Sequence, residues 1–150
     1  MVEIDTVTDP MDGKIRFSRF FCTFKASIDG FLYGYRPYIS IDSTSLNGMW
    51  NGHMPAALAL DGHNWMFPLA FELFESETKK NWVWFMEQLR KSIGPIDKLA
   101  ICIDACKGLE SAVRLVFPQA EMRECFRHLM ENMKKYYNGD AYGKKHVACS

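Results

Sequence analysis

Hydrophobic runs separated by turn-forming residues predict three successive strands in the middle of the chain. The runs cover residues 38–46, 53–60 and 65–74, and the segments between them contain the Asn-Gly and Asp-Gly pairs typical of tight turns. Pro55 and Pro68 lie inside the second and third runs. Because proline cannot donate a ladder hydrogen bond, these two positions favour strand edges or strand starts.

After the third predicted strand, the apolar residues recur at helical spacing. Thr78 is predicted to cap a helix that runs to about Ile93, where Gly94 and Pro95 end it. A strand is predicted next over residues 99–103, followed by a short helix over about 109–117. A short strand after Pro118 and a last helix over about 125–137 complete the prediction. Three meandering strands followed by this alternation predict an α/β fold with a mixed sheet and helices on its faces.

The first 33 residues show a weaker pattern. Residues 1–15 combine Asp, Pro and Gly with little periodicity, and we expect a tail or linker there, so that the domain covers residues 16–150. From Arg16 to Tyr33 the hydrophobic residues recur at helical spacings and predict an amphipathic segment that fills core: Phe17, Phe20, Phe21, Phe24, Ile28 and Phe31.

Composition sets limits on the function. The 150 residues suit one domain, and an apolar fraction of 48% allows a sizeable core. Eighteen basic and eighteen acidic residues give a net charge of zero. A domain that anchors DNA by itself usually carries a basic excess, so this charge argues against the main DNA-anchoring surface. It leaves open an active site that receives DNA from other domains.

Cysteine usage and the opening residues indicate the compartment. Five cysteines make an odd count, and the acidic, polar first twelve residues do not form a signal-peptide pattern. Both features favour a reducing compartment with free thiols. The sequence has no apolar stretch close to the ~20 residues of a membrane span, and we expect no membrane partner.

Two aspartates stand where apolar strands end. Asp42 follows residues 38–41, and Asp104 follows residues 99–103. If these strands are neighbours, the two carboxylates can hold a divalent cation between them. The alternative is that each aspartate ends a strand or starts a turn. The order of elements resembles the ribonuclease H-like fold, in which the first and fourth of these strands lie side by side.

Longer segments carry a more specific resemblance. They read GFLYGYRPYISIDSTSLNGMWNG, then ALALDGHNWMFPLAFELFESETKKNWVWFMEQL, then ICIDACKGLESAVRLVFPQAEMRECFRHLMEN. In this order they span about two thirds of the chain. The stretch from Phe31 to His128 resembles the transposase domain of plant Mutator-like elements, the MULE transposases.

The resemblance implies a DDE transposase that uses two Mg²⁺ or Mn²⁺ ions. Asp42 matches the first catalytic aspartate and Asp104 the second, while Cys125 and His128 match the C-x-x-H signature that follows. The family's catalytic glutamate lies further downstream, and no residue before Ser150 matches it. We therefore expect a catalytic core truncated at its C-terminus that does not cleave DNA alone, and the enzyme assignment of this chain stays open.

The C-x-x-H pair has more than one interpretation. Cys102 and Cys106 could supply the other two ligands of a zinc site, but Cys102 lies in a strand predicted to be buried, which argues against structural zinc. His128 instead contacts DNA or steadies a carboxylate, or is an ordinary surface or core histidine. Lys107, at the start of a helix, either approaches a DNA phosphate or is a solvated loop lysine.

The partners follow from the resemblance. It implies that the protein binds DNA, as terminal inverted repeats and target sites, and that it is located in the nucleus. Whether the protein self-associates is left open. The leading function is two-metal phosphodiester hydrolysis and strand transfer in DNA transposition. The alternative is a transposase-derived DNA-binding transcriptional regulator without catalytic activity.

Overall fold

A computed structural model of the protein describes residues 1–34, 36–104 and 106–136. Its seven strands are β1 (Val2–Thr8), β2 (Ile15–Thr23), β3 (Tyr38–Leu46), β4 (Gly52–Leu60), β5 (Met66–Phe74), β6 (Ala100–Ile103) and β7 (Glu121–Glu124). Its four helices are α1 (Lys25–Gly34), α2 (Lys79–Ile93), α3 (Lys107–Val116) and α4 (Phe126–Tyr136). Within the described ranges no helix has the length and apolarity needed to cross a membrane.

The strands form one mixed sheet in the order β1-β2-β5-β4-β3-β6-β7. Neighbours from β1 to β3 in this order pair antiparallel, whereas β6 pairs parallel with β3 and β7 pairs parallel with β6. This arrangement confirms the predicted α/β class with a mixed sheet. It also confirms that the strands before Asp42 and Asp104 are neighbours.

The elements from β3 to α3 lie within one or two residues of their predicted bounds. In α2 the Thr78 hydroxyl accepts a hydrogen bond from the Asn81 N–H, so the predicted cap is present. Gly94 follows the helix with φ 68°, a conformation that glycine adopts without strain. The last helix was predicted to reach Tyr137, which lies outside the described residues.

The predictions of secondary structure for the first 33 residues were wrong, although Phe21, Ile28 and Phe31 fill the core as predicted. Residues 1–15 include β1, which pairs along its whole length with β2, and so are not a tail. The segment after Arg16 is β2 followed by α1 rather than one amphipathic helix. Phe21 is buried in the core, whereas Phe20 packs on Phe71 with ring centroids 6.4 Å apart. A run this rich in aromatic residues is compatible with the periodicity of a helix and with that of a strand. Residues of this run form a strand because they pair with β5.

One hydrophobic core packs the sheet against α2 and α3. From β3 it receives Ile39 and Ile41, and from β6 Ile101 and Ile103, all of them buried. Successive side chains of a strand point to opposite faces of the sheet. Asp42 therefore lies on the face of β3 away from this core.

At Gly52, the first residue of β4, the backbone lies close to neighbouring groups. A Cβ at this position would lie 2.6 Å from the Phe74 carbonyl oxygen and 2.4 Å from the Trp50 ring. We expect Gly52→Ala to lower the free energy of unfolding by about 1–3 kcal/mol, measured by urea denaturation. Gly62→Ala is the control, because no described residue has an atom within 4 Å of a Cβ there. Equal effects of the two substitutions would contradict the packing argument.

Candidate functional site

The register between β3 and β6 brings the two predicted aspartates to one place. Ile41 is paired with Ile103 at the end of the ladder, so Asp42 and Asp104 are the next residue on each strand path. Both side chains are partly exposed. The Asp42 Oδ1 accepts a hydrogen bond from the Ser43 N–H at 2.9 Å, which orients the carboxylate.

Two basic side chains from the first turn of α4 lie against these carboxylates. Arg127 Nη2 donates to Asp42 Oδ2 at 2.9 Å. His128 Nδ1 lies 3.6 Å from Asp104 Oδ1, and its Nε2 lies 3.4 Å from Arg127 Nη2. The helix therefore contacts both carboxylates through side chains, Asp42 inside β3 and Asp104 just after β6.

The backbone holds α4 in this position. The Cys125 N–H donates to the Ile103 carbonyl at 2.8 Å, which extends the pairing of β6 with β7 by one residue. The Leu129 N–H then donates to the Cys125 carbonyl at 2.9 Å and closes the first helical turn. Residues three apart share a helix face, so the C-x-x-H spacing places His128 one turn from the strand end. The strand register and the contacts of α4 thus place Asp42, Asp104 and His128 in one region of the surface.

Tyr38, Cys102 and Cys125 form a second polar group next to the aspartates. Burial raises the pKa of Tyr38 to about 12, and a hydrogen bond with Cys102 contributes to the rise. Burial also raises the pKa of the Cys102 thiol, and the neighbouring Cys125 adds to this effect. Both groups are therefore neutral at pH 7. They offer hydrogen bonds at this end of the sheet rather than negative charge.

The donor chemistry of the two aspartates fits a hard divalent cation. Mg²⁺ and Mn²⁺ prefer oxygen ligands, and the carboxylates of Asp42 in β3 and of Asp104 after the neighbouring β6 supply them. The bound guanidinium of Arg127 shows that Asp42 already has a positive partner at this position. Across residues 1–34, 36–104 and 106–136 no three or more His, Cys, Asp or Glu side chains are grouped to hold one metal ion.

The other predicted contact falls outside what the structure describes. Lys107 is the first residue of α3, but its side chain is not among those described. Arg127 was missed at the sequence level, although it stands inside the C-x-x-H segment. A basic residue on a helix gives no sign of its partner 85 positions away. Tyr38 was read only as the start of an apolar strand.

Comparison with known families decides the assignment. The family model described as "MULE transposase domain" matches residues 38–132, from the start of β3 into α4, which is more than half of the chain. The chain belongs to the MULE transposase family. The matched range contains Asp42, Asp104, Cys125 and His128. No curated protein matches the chain.

The MULE transposase domain and the residues before it share one sheet. The match begins at residue 38, yet β2 precedes it in sequence and pairs with β5 inside it. The first two strands therefore extend the sheet of the domain. A transposase domain implies interaction with DNA in general terms.

Proposed function

We propose that this MULE transposase domain is a DDE-type catalytic core for DNA transposition. The observation that carries the proposal is the pairing of Ile41 with Ile103, which places the next residues side by side: Asp42 inside β3 and Asp104 just after β6. In this proposal Asp42 and Asp104 would be the residues that hold the metal ions. Bound Mg²⁺ or Mn²⁺ would supply Lewis-acid activation of a phosphodiester and of the attacking oxygen. The third carboxylate of this chemistry is not assigned to a described residue.

The proposal extends to the fold. We propose that β5, β4, β3, β6 and β7, in this spatial order, form a ribonuclease H-like core. Three antiparallel strands followed by two parallel ones support this proposal, as does the crossover through α2 that places β6 beside β3. β1 and β2 would then be additions at the outer edge.

The proposed substrate is DNA, as terminal inverted repeats and target sites, and the proposed location is the nucleus. The start of α3 supports a DNA contact, because it follows Asp104 closely and the first amides of a helix favour phosphate. Lys107 would add a positive charge there. We also propose that the protein self-associates, which would bring two transposon ends together.

A second candidate function is a transposase-derived DNA-binding regulator without catalysis. The ion pair between Arg127 and Asp42 favours it, because the protein itself neutralises the first aspartate. The two candidates differ in whether the carboxylates bind a divalent cation. A metal titration therefore separates them.

We expect the wild-type chain to bind Mn²⁺ weakly and Asp42→Asn to bind it still more weakly, because the amide removes one anionic oxygen ligand. Isothermal titration calorimetry measures both affinities. Asp97→Asn is the matched control, since Asp97 is exposed and precedes the other end of β6. Equal Mn²⁺ affinity of the wild type and Asp42→Asn would contradict the catalytic proposal and favour the regulator.

A further inference from the structure

We infer that Arg127 is a displaceable counter-ion of Asp42 that must leave before a divalent cation binds there. The inference rests on the proposed function, because it treats Asp42 as a metal ligand. It assigns Arg127 a positioning role: the guanidinium sets how readily the site accepts a cation.

The first step concerns the oxygens of Asp42. Oδ1 accepts the Ser43 N–H and Oδ2 accepts Arg127 Nη2, both at 2.9 Å. A cation bound at Oδ2 would lie directly beside the guanidinium from which this oxygen already accepts a hydrogen bond. Two positive groups in contact with one carboxylate also repel each other. Metal binding and the Arg127 ion pair therefore compete for the same oxygen.

The second step concerns the strength of the ion pair. The Arg127 side chain is 65% exposed and the Asp42 side chain 42% exposed. Ion pairs this accessible to water contribute only about 0.2–1 kcal/mol. A divalent cation with two carboxylate ligands can offset such a loss. The guanidinium can leave Asp42 without losing a buried environment.

Arg19 shows what a fixed arginine looks like in the same protein. Its side chain is 9% exposed, and it donates to Asp5 Oδ2 at 2.7 and 2.9 Å and to Asn81 Oδ1 at 3.3 Å. Its guanidinium carbon also lies 4.5 Å from the centre of the Trp84 ring. Packing therefore holds Arg19, whereas within the described part of the chain Arg127 has polar contacts with Asp42 and His128 at the protein surface.

The third step concerns where the guanidinium remains. Cys125 fixes the start of α4 to the end of β6 through the backbone, so Arg127 stays beside the strand ends after it leaves Asp42. Occupation of the site by a cation would thus change the Arg127 contact without requiring α4 to move. That difference can be observed by methods other than catalysis.

The test is Mn²⁺ affinity, measured by calorimetry on the full chain. Arg127→Gln is expected to bind Mn²⁺ about two- to fivefold more tightly than wild type, the fold-change that matches the strength of an exposed ion pair. Arg127→Lys keeps the charge and is expected to stay closer to wild type. The matched control is Arg114→Gln. Arg114 is 66% exposed and pairs with a carboxylate that is 45% exposed, that of Glu110 on α3.

The double variant Arg127→Gln/Asp42→Asn distinguishes the inferred role of Arg127 from the proposed metal site at Asp42. If it loses the tighter binding, the gain acted through Asp42, as inferred. If Asp42→Asn weakens binding but Arg127→Gln equals wild type, the role of Arg127 is overturned and the metal site stands. If Asp42→Asn changes nothing in either background, both proposals fail. An equal gain in Arg114→Gln would show a general charge effect and overturn the inference.

A second measurement covers the case in which Arg127→Gln does not fold. In the ¹⁵N-labelled wild type, the Arg127 side-chain Nε–H signal is assigned by its loss in Arg127→Lys. Addition of Mg²⁺ is expected to shift this signal away from its ion-paired position, while the Arg19 signal stays unchanged. An Arg127 signal that does not move while signals of the Asp42 backbone respond to Mg²⁺ would overturn the inference.

Discussion

Glu72→Leu is expected to raise the free energy of unfolding at pH 7 by about 3 kcal/mol. Glu72 lies on β5 and is completely buried. Neither of its carboxylate oxygens has a hydrogen-bond partner within the described residues. Burial raises its pKa to about 9, and the positive charge of Arg19 only partly opposes the shift. Because Phe21 stands opposite it in β2, an apolar side chain suits the position better.

The sign of the pH dependence follows from this shift in pKa. Below about pH 4.5 the carboxyl group is protonated in both the folded and the unfolded chain. Between that value and about 9 the folded protein keeps a proton that the unfolded chain has released. The wild-type stability therefore falls as the pH rises, by at most about 1.4 kcal/mol per pH unit from this group. The gain from Glu72→Leu should be small at pH 5 and largest near pH 8.5.

Urea denaturation at pH 5, 7 and 8.5 measures this difference. Glu72→Gln should also remove the pH dependence but give a smaller gain than leucine, because it leaves an amide buried without a partner. Glu87→Gln on the exposed side of α2 is the control and should change stability by less than about 0.5 kcal/mol. A wild type and Glu72→Leu with parallel pH profiles would show that the carboxyl group is not buried as described.

The central part of the fold could be predicted because local and long-range preferences agree there. Tyr38–Leu46 has the predicted bounds, and α2 has both of its predicted end signals, Thr78 and Gly94. The N-terminal part was missed because β1 is exposed along most of its length, and the alternation of Val2 and Ile4 with polar residues is short and is interrupted by a register shift between Asp5 and Thr6. Its structure depends on pairing with β2, which a local pattern does not encode.

The candidate site could likewise be predicted only in part. Asp42 and Asp104 could be found because each directly follows a run of apolar residues and because the family motif contains both. The contact of Arg127 with Asp42 could not be found, since it joins residues 85 positions apart. Glu72 escaped attention for a related reason. In the sequence it is one of several acidic residues near the end of β5, and only the packing of α2 over the sheet buries it.

Trp82→Ala is expected to lower the free energy of unfolding by about 3–5 kcal/mol, the largest loss we expect for one substitution in α2. Trp82 is almost completely buried, and its ring centroid lies 5.5 Å from that of Phe74 and 6.2 Å from that of Phe85. It also lies close to Gly108, where a Cβ would be 3.3 Å from Trp82 Cδ1. The indole therefore joins the sheet, α2 and the start of α3.

Two further variants make this result specific. Trp82→Phe should lose far less, about 1 kcal/mol, because it keeps an aromatic ring and removes an indole N–H that has no hydrogen-bond partner within the described part of the chain. Trp65→Ala removes the same side chain from a turn where it is 74% exposed, and should change stability by less than about 0.5 kcal/mol. Thermal and urea unfolding of all three proteins would measure the differences. If Trp82→Ala were as stable as Trp65→Ala, the packing of α2 and α3 beneath the strand that leads to Asp104 would be wrong. The proposed metal site would then lose the support that fixes one of its two carboxylates.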